Sequence, residues 1–207
     1  MKIKGVVLIA RLKFIQERFG RDAFEEVLAS LSSKDQSILR GIIMGAIWYP
    51  FETGENLDKA TVKVIGNGAP DFFEEIGAAS ARQNLSTVHR AFLQPGQPQV
   101  FLNRSPLIYR FYYDVGRREY TETGPTSGVL VTYDSESYSV FDCLTVIGWY
   151  KQGLAMCGAQ GVTIVERSCR GRGAPSCQYA IRWRGVARTS TAVPLPDKTL
   201  LPLMTAT

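Results

Sequence analysis

The sequence predicts an α+β domain in which a helical N-terminal half packs on an antiparallel sheet. Three observations lead to this prediction. Apolar residues recur at helical spacing through the first half, period-two patterns begin after Gly116, and one long helical stripe separates two pairs of predicted strands. The 207 residues are 45% apolar and 21% charged, which is typical of a globular chain with a sizeable core.

The first three helices are predicted from their apolar spacing. The first helix runs to Phe19 and is ended by Gly20, because glycine readily adopts the left-handed conformation that closes a helix. A second helix covers about residues 24–31. A capping box at residues 33–36 starts a third helix that carries apolar residues as far as Ile43 and is broken by Pro50.

Further helices are predicted over residues 57–65 and 71–84. The QPGQP segment, residues 94–98, marks a loop. Ser105 and Pro106 then form the cap and first turn of an aromatic helix, since serine is favoured at the cap and proline just inside it.

The second half has the chain order strand, strand, helix, strand, strand. Strands are predicted at 117–123 and 128–133, followed by a long helix over 138–158. Two more strands follow at 161–168 and 178–183, the last with clean apolar-polar alternation. Successive strands joined by short turns favour antiparallel pairing.

One domain is expected over residues 1–188, with a flexible tail over 189–207 that lacks hydrophobic periodicity. The apolar run from Val6 to Ala10 is too short for a signal peptide, and no window suits a membrane span. A cytoplasmic location is therefore expected. The net charge of +5 permits an acidic partner but does not reach the basic signature of a nucleic-acid-binding protein.

The stretch VERSCRGRGAPSC, residues 165–177, is a candidate metal site. Zinc takes about four nitrogen, sulfur or oxygen ligands, and Glu166, Cys169 and Cys177 could supply three. Cys143 and Cys157, on the buried stripe of the long helix, compete to be the fourth. The alternatives are inert core cysteines or a disulfide, which a reducing cytosol disfavours. Because positions 166 and 169 face opposite sides of a regular strand, the site requires a bulge or strand end between them.

An apolar ligand pocket is a second candidate site, with Phe101, Tyr109, Tyr112 and Trp149 as its walls. Tyrosine supplies both an aromatic face and a polar hydroxyl, a combination typical of such pockets, although plain core packing is the alternative. His89, the one histidine, is expected at the surface or hydrogen-bonded in the core. Neither a P-loop, a dinucleotide motif nor a credible Ser-His-Asp set occurs in the sequence, so a non-enzymatic protein is expected.

The segment CLTVIGWYKQGLAMCGAQGVTIVERSCRGRGAPSCQYAI resembles the 4-vinyl reductase domain. The match falls on Gly148, Trp149, Glu166, Cys169, Gly173 and Cys177. Such domains are similar to the sensor domains of phenol- and xylene-responsive regulators and, in fold, to the small acyl-binding subunits of TRAPP tethering complexes. They are more distantly similar to haem-NO-binding domains. The N-terminal half, with KGVVLIARLKFIQERFG, resembles an uncharacterised myxobacterial family of such proteins.

This resemblance implies a structural zinc ion held by Cys143, Glu166, Cys169 and Cys177. It also implies a sensor or regulatory module that binds a small hydrophobic or acyl ligand and signals through a homodimer or a protein partner. A ligand-free interaction scaffold, similar in role to a tethering-complex subunit, is the alternative. The family name alone suggests a third role, as an accessory to tetrapyrrole vinyl reduction.

Overall fold

The structure is a computed structural model that describes residues 1–187. It is a mixed α+β structure with antiparallel sheets, which confirms the predicted fold class. The tail predicted over residues 189–207 lies outside the described part of the chain. Within residues 1–187, none of the helices combines the length and apolar character that a membrane span requires.

The N-terminal layer begins with a short strand, β1 (Lys2–Lys4), which pairs antiparallel with β2 (Trp48–Pro50). Helix α1 (Gly5–Ala29) contains a sharp bend at Gly20, where φ is 84°. A positive φ is readily adopted only by glycine, so the two helices predicted on either side of Gly20 form one bent element.

Helix α2 (Ser33–Leu39) is shorter than predicted, and its cap lies one residue earlier than predicted. The Ser32 hydroxyl accepts a hydrogen bond from the Asp35 amide at 3.2 Å. The prediction that this helix continues to Ile43 is wrong. The apolar segment at residues 41–47 forms a loop instead, because its carbonyls accept hydrogen bonds from the first amides of α1.

The remaining helices of the first half are α3 (Phe51–Val64), α4 (Asp71–Ser86), α5 (Pro98–Asn103) and α6 (Ser105–Tyr112). A 3-10 turn at Arg90–Phe92 separates α4 from α5. Helix α3 starts well before the predicted residue 57, and α5 was not predicted, because its short apolar run directly follows a proline-rich turn.

The main sheet contains four antiparallel strands in the spatial order β3-β4-β7-β6. They are β3 (Arg117–Gly124), β4 (Ser127–Tyr133), β6 (Thr163–Ser168) and β7 (Cys177–Arg182). The short strands β5 (Ala159–Gln160) and β8 (Gly185–Val186) pair beside it. Helix α7 (Val140–Met156) connects the two halves of the sheet.

Helices α4 and α7 approach each other closely at two glycines. A β-carbon added at Gly77 of α4 would overlap the Thr145 backbone, and one added at Gly148 of α7 would overlap the Glu74 backbone. This approach joins two apolar cores, one between α7 and the sheet and one among α1, α3 and α4. The candidate site lies where the two cores meet.

Candidate ligand cavity and cysteine cluster

A cavity with about 50 Å³ of free space lies between the helical layer and the sheet. We call it the central cavity. Its lining comes from α1, α4, α6, α7 and strand β3. The lining residues are Val7, Arg11, Gly77, Ser80, Asn84, Ile108, Tyr109, Tyr112, Tyr113, Arg118, Thr145, Val146, Trp149 and Tyr150.

Three of the four aromatic residues predicted for a pocket line this cavity. They are Tyr109, Tyr112 and Trp149. The fourth, Phe101, is fully buried behind them, and its ring lies 5.9 Å from Trp149 and 6.0 Å from Tyr150 between centroids. Phe101 therefore supports the wall of the cavity without contributing to its surface.

Arg118 is one of two charged residues of the cavity that sequence reasoning missed. Its side chain is buried, its Nε donates to the Thr132 hydroxyl at 2.9 Å, and one terminal nitrogen lies 3.5 Å from the Tyr150 hydroxyl. The guanidinium lies over the rings of Tyr109 and Tyr150, at 4.8 Å and 5.5 Å from their centroids. Across residues 1–187, no carboxylate forms an ion pair with it.

Two residues of α4 that line the cavity carry buried polar groups without hydrogen-bond partners in the described chain. They are the Ser80 hydroxyl and the Asn84 amide nitrogen, on residues that are 6% and 1% exposed. Asn84 lies close enough to the Tyr112 hydroxyl to oppose the rise that burial causes in the tyrosine pKa, but its Nδ2 does not reach hydrogen-bond geometry with any group of the described chain. Buried polar groups are nearly always paired, so two unpaired groups on one wall are a signal of a missing partner.

The second cation of the cavity, Arg11, already has an acidic partner. Its terminal nitrogen lies 2.7 Å from the Asp58 carboxylate, and both side chains are buried. Burial raises the pKa of Asp58 to about 7, although Arg11 opposes this rise. The Arg11–Asp58 pair thus differs from Arg118, which has no carboxylate in contact.

Three tyrosine hydroxyls around the cavity are engaged by protein groups. Tyr109 donates to the Val115 carbonyl at 2.8 Å, and Tyr113 donates to Asp142 at 3.1 Å. The Tyr112 hydroxyl lies 2.6 Å from Nδ1 of His89. Burial raises the pKa of all three tyrosines, so their hydroxyls stay protonated at neutral pH.

His89 lies beside the cavity wall and does not line it. The ring is half-buried and packs against Phe92, Phe111 and Tyr112. Burial lowers the pKa of the imidazole, which therefore stays neutral at physiological pH. The chain's one histidine has a hydrogen-bonding role in the core.

The second candidate site is a cluster of three buried thiols, which we call the cysteine cluster. The sulfur of Cys143 lies 3.5 Å from that of Cys169 and 3.6 Å from that of Cys177. The register of β6 shifts between Glu166 and Ser168, which supplies the irregularity that the predicted site required. Cys157 is buried at the end of α7 and is not part of the cluster.

Glu166 does not join the cysteine cluster. One of its carboxylate oxygens accepts a hydrogen bond from Arg172 at 2.5 Å, and the group of potential ligand atoms contains the three sulfurs alone. The Cys143 thiol donates to Cys177 and so lowers the pKa of Cys177 to about 6, while burial opposes this change. Of the four predicted zinc ligands, the structure brings together three.

Solved structures of H-NOX proteins share this fold. A Tt H-NOX variant is 11% identical, with a TM-score of 0.68 over 89% of this chain and 96% of that chain. An Fe(II) unliganded H-NOX mutant from K. algicida is 11% identical, with a TM-score of 0.67 over 87% and 96%. An S. oneidensis H-NOX mutant in the Fe(II) ligation state is 13% identical, with a TM-score of 0.66 over 89% and 98%.

At these identities the likeness establishes the fold and nothing further. Curated proteins give no significant match. The predicted resemblance to the 4-vinyl reductase domain and to TRAPP subunits is wrong, because the structures that share this fold are H-NOX proteins. The hairpin motif behind that prediction spans only α7 and two strands, so it could not identify the helical half of the chain.

The predicted structural zinc is wrong as well. The similar structures include one whose subject is haem redox potential and porphyrin distortion, so the proteins that share this fold are described with haem and not with zinc. The geometry of the cysteine cluster also argues against zinc. Zinc prefers four ligands, and the predicted fourth ligand, Glu166, is paired with Arg172.

The residues of the central cavity do not fit haem. Haem iron takes an axial histidine, cysteine, methionine or tyrosine, and the lining contains none of the first three. Tyr109, Tyr112 and Tyr113 have raised pKa values and engaged hydroxyls, so they are poor iron ligands. The hydroxyl of the fourth lining tyrosine, Tyr150, lies 3.5 Å from a terminal nitrogen of Arg118. The free space of about 50 Å³ is also far below the roughly 300–1,000 Å³ of pockets for larger ligands.

A family model provides the remaining comparison, and it matches residues 67–184, more than half of the chain. The match covers α4 through β7, which supply most of the cavity lining and all of the cysteine cluster. The chain belongs to the family described as a protein of unknown function, DUF2378.

Proposed function

We propose that this chain is a non-enzymatic sensor module that binds a small molecule in its central cavity, where its own residues do not fit haem. The observation that carries the proposal is the pair of buried, unpartnered polar groups on Ser80 and Asn84, two residues that line free space inside an H-NOX-like fold. Leaving such a group unpaired costs about 1–3 kcal/mol, and a bound ligand would remove that cost.

The cavity walls support the same proposal. Tyr109, Tyr112 and Trp149 form an aromatic surface with Phe101 packed behind it, as expected of a pocket that holds an apolar body and orients a few polar groups. The free space of about 50 Å³ limits the ligand to a small molecule unless side chains move. A long acyl chain is therefore a poor candidate.

The position of the cavity provides a route for a signal. Its lining includes Gly77 of α4 and Thr145 of α7, which form one of the two close helix contacts. A ligand bound between α4 and α7 binds more tightly to the helix spacing that accommodates it. This difference in affinity shifts the equilibrium between helix spacings toward that arrangement. We expect the output to pass through a homodimer or a protein partner.

The experiment is a screen of small molecules by thermal shift and protein NMR. Ligands should raise the melting temperature of the wild-type protein and shift resonances of Trp149. Ser80→Leu should abolish binding, because leucine replaces an unpaired hydroxyl and fills the cavity. The matched control is Ser86→Leu, an exposed position on the same helix, which should bind like wild type.

If no compound stabilises the wild type, or if both leucine variants behave alike, the sensor proposal fails.

Haem binding is tested separately on the same protein. Titration with haem should give neither a sharp Soret band nor stabilisation, and a stoichiometric haem complex would show that the argument from the cavity lining is mistaken.

A ligand-free interaction scaffold is the second candidate function. The loop at residues 41–47 favours it, because Ile42 is 94% exposed, Met44 is 61% exposed and Ile47 is 49% exposed. Clustered exposed apolar side chains are typical of protein-interaction surfaces. A constitutive complex that forms without ligand and is lost in Ile42→Lys would support the scaffold over the sensor.

A further inference from the structure

We infer that the ligand of the central cavity is a short-chain carboxylate whose charge is recognised by Arg118. This inference rests on the proposed sensor function and adds the chemical class of the ligand. It is carried by the charges, the hydrogen-bond donors and the free space of the cavity.

No carboxylate of the described chain contacts Arg118 directly. Arg11 is paired with Asp58 at 2.7 Å. Burial raises the pKa of Asp142, and the nearby Arg11 and Arg118 oppose that rise, but the carboxylate oxygens of Asp142 accept hydrogen bonds from Tyr113 at 3.1 Å and from Ser137 at 3.4 Å rather than from Arg118. Arg118 therefore keeps N–H groups for a ligand anion, and charge-assisted hydrogen bonds of that kind are the strong ones.

The donors of Arg118 are arranged to bind a carboxylate. Within the described chain its hydrogen bonds go to Thr132 and, at the long distance of 3.5 Å, to Tyr150, which leaves most of its N–H groups without an acceptor. The guanidinium packs against two tyrosine rings and borders the cavity. A planar, oriented guanidinium matches the two oxygens of a carboxylate.

The remaining lining selects a ligand that is partly apolar. Val146, Ile108 and Trp149 offer carbon surface, while Ser80 and Asn84 on the opposite helix offer an unpaired hydroxyl and an unpaired amide. A single water molecule needs about 10–15 Å³ of free cavity space. The central cavity, with about 50 Å³, therefore holds roughly three to five non-hydrogen atoms. Acetate and propionate have this size, whereas aromatic carboxylates exceed it.

The test compares carboxylates with their neutral amides on the wild-type protein. Acetate and propionate, together with acetamide and propionamide, are titrated by NMR and calorimetry at constant ionic strength and about pH 8, where Asp58 is ionised and keeps Arg11 paired. The carboxylates should bind at least about tenfold more tightly than the amides, because their hydrogen bonds to Arg118 are charge-assisted.

Two arginine substitutions on the same strand locate the site. Arg118→Gln should weaken carboxylate binding at least about tenfold and leave amide binding nearly unchanged. Arg117→Gln is the matched control, because Arg117 is exposed and pairs with Asp134 outside the cavity. Circular dichroism verifies that each variant is folded, and the wild-type comparison remains decisive if Arg118→Gln does not fold.

The outcomes separate this inference from the function on which it rests. Equal binding of amides and carboxylates, or carboxylate binding that survives Arg118→Gln, overturns the carboxylate and leaves a sensor of neutral ligands. Binding that is lost equally in Arg117→Gln would indicate a surface charge effect and also overturns it. If no molecule of the wider screen binds, the sensor function and the inference fail together.

Discussion

Gly148→Ala should destabilise the protein by about 2 kcal/mol. The added methyl group would overlap the backbone carbonyl of Glu74, which cannot rotate away as a side chain could. Helices α4 and α7 must then separate, and overpacking of this kind costs about 1–3 kcal/mol. A backbone clash belongs at the upper end of that range, and the higher helix propensity of alanine returns about 1 kcal/mol.

The assay is thermal and urea unfolding followed by circular dichroism. A loss of about 2 kcal/mol corresponds to roughly 4–8 °C in melting temperature for a chain of this size. Ala155→Gly, at an exposed position of the same helix, is the control that isolates helix propensity, and it should cost about 1 kcal/mol. A Gly148→Ala protein as stable as wild type would refute the close packing of α4 on α7.

Three further predictions concern pH, a core hydrogen bond and haem. Because burial raises the folded-state pKa of Asp58 from 3.8 to about 7, the folded state retains a proton that the unfolded state loses, so stability should fall as pH rises from about 4 to 7. Asp58→Asn should reduce this slope in urea titrations, leaving a part due to Asp142, whose pKa burial also raises; an unchanged slope would contradict the assignment. Tyr112→Phe should cost about 1 kcal/mol by removing the hydrogen bond at 2.6 Å to His89, and unaltered urea midpoints would argue against that bond. Absorption spectra of protein incubated with excess haem should show free haem only. A saturable Soret band would contradict the conclusion that the lining of the central cavity does not fit haem.

Most of the long helices and the four strands of the main sheet follow from local patterns, and these were predictable. Gly20 ends a regular apolar stripe, and the structure bends α1 there with a positive φ. The segment around Ile42 shows the limit of such reasoning. Its apolar residues read as a continuing helix, but its carbonyls cap α1, and a long-range contact of this kind leaves no periodic signal.

The candidate site was predictable in part for similar reasons. Tyr109, Tyr112 and Trp149 stand out as aromatic residues on helices, so composition pointed to them. Arg118 lies in the sequence RREY, which reads as an exposed charged strand, and only the tertiary fold reveals that it faces inward. Ser80 and Asn84 could have been identified from the sequence, because both are polar residues on the buried face of α4.

The cysteine cluster shows how a local motif can mislead about family. The bulge after Glu166 and the approach of Cys143, Cys169 and Cys177 could be anticipated from the loop and the helix before it. The same hairpin on a different fold has different neighbours, and here Arg172 binds the carboxylate. Chain topology, rather than the hairpin, determines which proteins this chain resembles.

The loop at residues 41–47 caps helix α1, so this one helix connects the exposed loop to the central cavity. The amides of Gly5 and Val6 donate to the carbonyls of Ile47 and Gly45, and the same helix places Arg11 in the cavity lining less than two turns further on. A partner that binds the loop and shifts α1 would therefore also change the cavity that α1 borders. Thermodynamic linkage then requires that the partner at the loop and the ligand in the cavity change each other's affinity by the same factor.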